Sequence, residues 1–203
     1  MSRIRHWRTW WVLALLLLAG SVWHSWDSRG VIAPRGGLYF PWKKEISAPA
    51  FAQADPLWRE DRMGDSPGTL GAEGCAVTSA AMALATYGIA VDPKRLNDFL
   101  SRSHGYTPQG WIYWEVAAEF EPHKVKHAYE DLPSYRLMDW NLLRGNPVIV
   151  RIRPHGGRTH FVLVVGKEGL EYVAQDPGSG GRKVPLSAFE SRIEALRFYR
   201  KLQ

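Results

Sequence analysis

The chain has 203 residues, of which 45% are apolar, 12% aromatic and 23% charged, and it holds one cysteine. That length suits one domain with a tail, the apolar content excludes intrinsic disorder, and a lone cysteine excludes an intrachain disulfide or a zinc site built on several cysteines. Half of the net charge of +6 sits on Arg3, Arg5 and Arg8 within residues 1–26, which contain no acid, and the remainder is too mild for a nucleic-acid footprint.

From the N-terminus, a basic stretch ahead of the apolar run Trp10–Trp23 predicts an export signal, with Ala19-Gly20-Ser21 as a small-residue cleavage site. The alternative is an uncleaved anchor in the inner membrane through residues 10–26, with Trp10, Trp11, Trp23 and Trp26 at the interfaces, although the run is short of the ~20 residues a span needs. Either reading carries the rest of the chain across the cytoplasmic membrane, to a periplasmic or extracellular location. Residues 27–50 mix Gly, Pro and charge and read as a linker with one short strand, Gly37–Phe40, ended by Pro41. Residues 51–203 make up the globular domain.

The first half of that domain reads as helices. Cys75 to Tyr87 is alanine-rich and stops at Gly88, and Asp92-Pro93 caps and starts the next helix, with Leu96, Phe99 and Leu100 as its buried stripe. Trp111–Phe120 and Asp139–Arg144 predict two more. The second half reads as strands: Val148–Arg153, His160–Gly166, Leu170–Asp176, Arg182–Val184 and Leu196–Lys201, with a short helix from Ser187. Helices first and antiparallel strands second make an α+β fold.

Lys167-Glu168-Gly169 separates two of these strands. A three-residue hairpin loop closing on a left-handed glycine pairs Gly166 with Leu170 and therefore sets His160 directly across from Asp176, with Cβ atoms ~5 Å apart. A carboxylate there fixes the imidazole tautomer and raises the basicity of its other nitrogen. A two-residue loop would instead throw Asp176 to the opposite face. Cys75 opens a helix after Glu73-Gly74, where the macrodipole favours thiolate. The bland uses are a buried small hydrophobe for Cys75 and a register-fixing polar pair for His160 and Asp176. Gln53, upstream, offers an amide N–H that joins the Cys75 backbone N–H in binding an oxyanion.

The segments Gln53-Ala54-Asp55-Pro56-Leu57-Trp58, Gly74-Cys75-Ala76-Val77-Thr78-Ser79-Ala80-Ala81-Met82, Tyr87-Gly88, Gly145-Asn146-Pro147-Val148-Ile149-Val150, His160-Phe161-Val162 and Asp176-Pro177-Gly178 resemble, in this order, the C39-like peptidases of the papain-like cysteine protease superfamily. The resemblance implies a papain-like fold, a helical lobe packed on an antiparallel sheet. It also implies Cys75 as nucleophile, His160 as general base, Asp176 as its orienter and Gln53 as oxyanion donor. The bacteriocin-processing branch of this group carries Asp-Cys-Gly at the nucleophile, where this chain has Gly74-Cys75-Ala76. That branch is fused to an exporter and works on the cytoplasmic side, so cleavage of double-glycine leaders does not carry over.

The expected activity is hydrolysis of a peptide or protein substrate by an exported, monomeric thiol hydrolase without cofactor, metal or nucleic-acid partner. The alternatives are a transamidase using the same triad and an inactive envelope module that binds peptide. His123 and His127 have the i, i+4 spacing of helix-borne metal ligands, but Pro122, Lys124 and Lys126 around them make a solvated segment the expected use. Trp111, Tyr113 and Trp114 are candidates for a substrate groove, with at least one of them expected in the core.

Overall fold

The structure, a computed structural model, describes residues 3–202 and the side chains of residues 10–202; those of Arg3, Arg5 and Arg8 lie outside the described residues. It opens on α1 (Arg3–Asp27), on which Trp10, Leu15, Leu17 and Trp23 are exposed. Among the described residues no helix is long and apolar enough to cross a membrane. Gly20, Ser21, His24 and Ser25 interrupt the apolar run of residues 10–26 before spanning length. The end of α1 is tied to the domain: Trp26 Nε1 donates to Asp139 Oδ2 at 2.9 Å, and Asp27 pairs with Arg136.

The elements that follow are β1 (Arg35–Glu45), α2 (Leu70–Glu73), α3 (Cys75–Ala85), α4 (Pro93–Arg102), α5 (Trp114–Ala118), β2 (Val125–Asp131), α6 (Tyr135–Leu143), β3 (Val148–Ile152), β4 (His160–Asp176), β5 (Arg182–Pro185) and β6 (Ala195–Lys201). Helices and antiparallel strands therefore mix as expected. Asp92 caps α4 by accepting from Arg95 N, and Ser134 caps α6 by accepting from Leu137 N. The short helix expected from Ser187 is a 3₁₀ turn, Leu186–Phe189.

Four differences from the sequence reading have physical causes. β1 runs through Pro41 instead of stopping there, because it lies at the sheet edge, where a missing N–H costs no ladder bond. α5 is shorter than Trp111–Phe120, because a bridge between Tyr106 and Ile112 and the bond from Trp111 N to Thr107 Oγ1 hold residues 106–112 as a loop. Val125–Asp131 is a strand, which removes the i, i+4 geometry from His123 and His127; His123 is exposed and His127 half-buried. Lys167, expected in a hairpin loop, is completely buried.

The sheet has the order β1-β4-β3-β6-β2, with β5 on β4, and every pairing is antiparallel. β3 is apolar at successive positions because both faces are covered. Ile149, with Leu163, Val165 and Tyr199, packs under α3 through Val77, Ala81 and Leu84. Val148, Val150 and Ile152, with Val162, Val164 and Leu196, pack on the other face with Met138 and Leu142 of α6. The helix carrying the cysteine is thus a central element: Val77 to Leu84 are all buried, and its small side chains let it sit close to the sheet.

Candidate active site

α2 and α3 meet at Gly74, where an added Cβ would lie 2.4 Å from Leu70 O, so only glycine allows this junction. Cys75 follows as the first residue of α3, buried, with Sγ 3.9 Å from Glu73 O. Its N–H belongs to the first turn, where helical amides have no partner within the helix. One turn further, Ser79 Oγ donates to Phe161 O at 3.2 Å, which ties the cysteine helix to the strand that begins with His160.

β4 has 17 residues, yet its two ends touch: His160 Nε2 lies 2.6 Å from Asp176 Oδ1. A straight strand would hold them roughly 50 Å apart. The element therefore doubles back, and Gly169 at φ 57° supplies the left-handed residue of the turn. An ionised carboxylate has no proton to give, so Nε2–H is the donor and Nδ1 is the ring nitrogen left over for the nearby Cys75 sulfur. Asp176 Oδ1 also accepts from Gly178 N at 2.9 Å, and Pro177 O accepts from Gln53 N at 3.1 Å. One short turn thus orients both the carboxylate and the segment that carries Gln53.

Burial opposes a charged imidazole at His160, but the Asp176 hydrogen bond and the nearby Cys75 sulfur outweigh it and raise the pKa to about 9. Burial likewise pushes Asp176 up, and the bond from His160, its charge and the Gly178 N–H hold the carboxyl below its ordinary value. Cys75, His160 and Gln53 line one cavity of about 1040 Å³. Gln53 sits there in a particular way: its Nε2 donates to Gly71 O at 3.0 Å, and its Oε1 is buried without a partner. One amide N–H is thereby used, and the second is the one left for a ligand. The Gly71 carbonyl would receive the Cys75 N–H in a continuous helix; it is occupied by Gln53 instead.

The same cavity is lined by Trp111, Tyr113 and Trp114, the last of them buried, so the aromatic stretch serves groove and core together. Sequence reasoning missed Arg151, Arg197 and Glu130, which also line it. No spacing rule marks a lone arginine in a strand. The one available signal was that Arg197 interrupts the apolar run Leu196 to Tyr199, and that β-strand alternation carries it to the face of Tyr199, under the helical lobe.

A helical lobe that brings a thiol to an imidazole–carboxylate pair on an antiparallel sheet is a cysteine-peptidase type of fold. The model of the Peptidase_C39 like family matches residues 45–201, and the chain belongs to that family. Among solved structures it is similar to a protein described as a C39-like peptidase from Bacillus anthracis, at 17% identity and TM-score 0.49, covering 79% of this chain and 99% of that one. It is also similar to a double glycine motif protease from an AMS/PCAT transporter, solved in complex with the leader peptide, at 17% identity and TM-score 0.45, covering 86% of this chain and 100% of that one. No curated protein matches the chain.

Proposed function

We propose that the chain is a cysteine peptidase that hydrolyses a peptide bond with Cys75 as nucleophile, His160 as acid and base, Asp176 as the group that orients His160, and Gln53 with the Cys75 N–H as the oxyanion site. The carrying observation is the His160–Asp176 contact of 2.6 Å, beside Cys75 in one large cavity. With its pKa raised to about 9, His160 is an imidazolium at neutral pH. It therefore starts as the acid, paired with a thiolate.

The thiolate attacks the peptide carbonyl carbon, and the C=O electrons move onto oxygen, where the Gln53 and Cys75 N–H groups meet them. As the C–N bond breaks, Nδ1 gives its proton to the leaving amine, and a thioester remains. The now neutral imidazole takes a proton from water while the hydroxide attacks the thioester, which releases the carboxylic acid and restores the thiolate–imidazolium pair. Asp176 keeps Nε2 protonated throughout, so that only Nδ1 exchanges protons. The proposal also places the domain outside the cytoplasm, on the strength of the basic residues Arg3, Arg5 and Arg8 ahead of the apolar run Trp10–Trp23.

The test is Cys75→Ala assayed on a quenched-fluorescence peptide library, with melting as the control for folding. Cleavage by the wild type and none by a folded variant is expected. Equal cleavage by both would overturn the mechanism.

A further inference from the structure

Resting on the peptidase reading above, we infer that the sheet wall of the cavity is a subsite for an acidic side chain of the substrate, read by Arg197 with Arg151 behind it. Arg197 is buried to 7% exposure and clamped between two rings, with Cζ 5.0 Å from the centroids of both Trp114 and Phe161. Among the described residues its one ion pair is from Nη2 to Glu130 Oε1 at 3.2 Å, and its Nε and Nη1 are buried without a hydrogen-bond partner. Buried guanidinium donors left unmet are costly, so a built site of this kind waits for an acceptor.

The charge count on this wall points the same way. Arg151, Arg153, Arg158 and Arg197 all line the cavity. Glu73, Glu115 and Glu130 line it too, so four guanidiniums stand against three carboxylates; among the described residues Arg151 and Arg153 share Glu194, at 3.2 and 3.0 Å, Arg197 has Glu130, and Arg158 has no ion pair. The position is close to the chemistry. Phe161, which stacks against Arg197, follows His160 directly and pairs with Arg151 across β3 and β4.

Glu130 acts as the occupant when no substrate is present. Its side chain is 37% exposed against 9% for Arg197, so it can swing into solvent at little cost. A substrate carboxylate that takes its place can bridge Nη2 and a neighbouring nitrogen, satisfying a donor that Glu130 leaves unmet. An amide isostere supplies one neutral acceptor and, on its other side, N–H groups that face a cation.

The experiment uses peptidyl vinyl sulfones that alkylate Cys75, in pairs with Glu or Gln at each of the positions flanking the electrophile, each made as free acid and as terminal amide. The readout is the ratio of kinact/KI for Glu over Gln within one protein. In the wild type the ratio is expected to reach about tenfold at one position, in both terminal forms. Arg197→Met should bring it to within about twofold of unity, Arg197→Lys should leave it intermediate, and Glu130→Gln should widen it by freeing the arginine. Arg197→Lys and Glu130→Gln carry the test if Arg197→Met does not fold. A ratio near one at every position, in a wild type whose Cys75 reacts with both iodoacetamide and the peptidyl probes, overturns the acidic subsite alone. A preference that follows the free terminal carboxylate overturns its assignment to a side chain. A Cys75 inert to both reagents overturns the peptidase reading beneath it.

Discussion

Replacing Asp176 by Asn keeps the shape at His160 and removes the charge. Burial lowers the imidazole pKa, and the Asp176 hydrogen bond, followed by the Cys75 sulfur and the Asp176 charge, raises it to about 9. The interval from the ordinary 6.5 to about 9 corresponds to about 3 kcal/mol of preferential stabilisation of the charged ring. The sign follows from linkage. A raised histidine pKa contributes stability that is fully present below pH 6.5 and is lost as pH rises through about 9. Asp176, whose folded pKa is lowered, contributes stability that is present above its unfolded value and lost as pH falls through the folded one. The contact is one interaction seen from two sides and is counted once. Part of that interval belongs to Cys75, so near pH 6 Asp176→Asn should cost roughly 1–2 kcal/mol, or about 2–8 °C in melting temperature for a domain of this size. By pH 9.5 the difference between wild type and variant should shrink by more than half, because the imidazole is then neutral in both. Thermal melts of the two proteins from pH 5.5 to 9.5 measure it. A stability difference that stays constant or widens with rising pH would refute the charge pairing.

Two further outcomes follow from other contacts. Lys167→Met should cost about 3–5 kcal/mol in urea denaturation, because it leaves the buried Asp139 carboxylate without its counter-ion. Lys167 Nζ donates to Asp139 Oδ1 and to Gly36 O, both at 2.6 Å, and both charged side chains have 0% exposure; a cost below about 1 kcal/mol would contradict that burial. Gln53→Ala should lower peptide turnover by about 10²–10³-fold, the usual cost of one oxyanion donor, while leaving the iodoacetamide alkylation rate of Cys75 within about twofold, since that reaction forms no oxyanion. Equal losses in both assays would mean that Gln53 only holds the Gly71 carbonyl and the local fold.

What the sequence disclosed and what it hid divide along physical lines. The His160–Asp176 contact was legible because hairpin register is local arithmetic: of the two loop lengths that Lys167-Glu168-Gly169 allows, the three-residue one sets these residues opposite each other. The start of α3 was legible from Gly74 and the alanine run. β2 was not, because Val125–Asp131 mixes charges with few apolar residues and is held to the sheet by β6, some seventy residues away in the chain. Pro41 misled because a local strand breaker does not break an edge strand. Lys167 misled in the same way. Its loop position predicts solvent, while the Asp139 carboxylate and the rings of Phe40 and Tyr172, at 5.0 and 4.2 Å, enclose it only after α6 and β1 have closed over the hairpin. Arg197 stayed hidden for a related reason: what makes it a candidate binding group is the set of donors left unmet after folding, and no sequence pattern encodes an absence.

The central claim is that His160 activates the one thiol of the chain. The rate of Cys75 alkylation by iodoacetamide at pH 7, in wild type and in His160→Ala, tests it most directly. The account predicts a fall of at least about tenfold in the variant, with folding retained, because the imidazolium that favours thiolate is gone. Alkylation at the same rate in both proteins would contradict it.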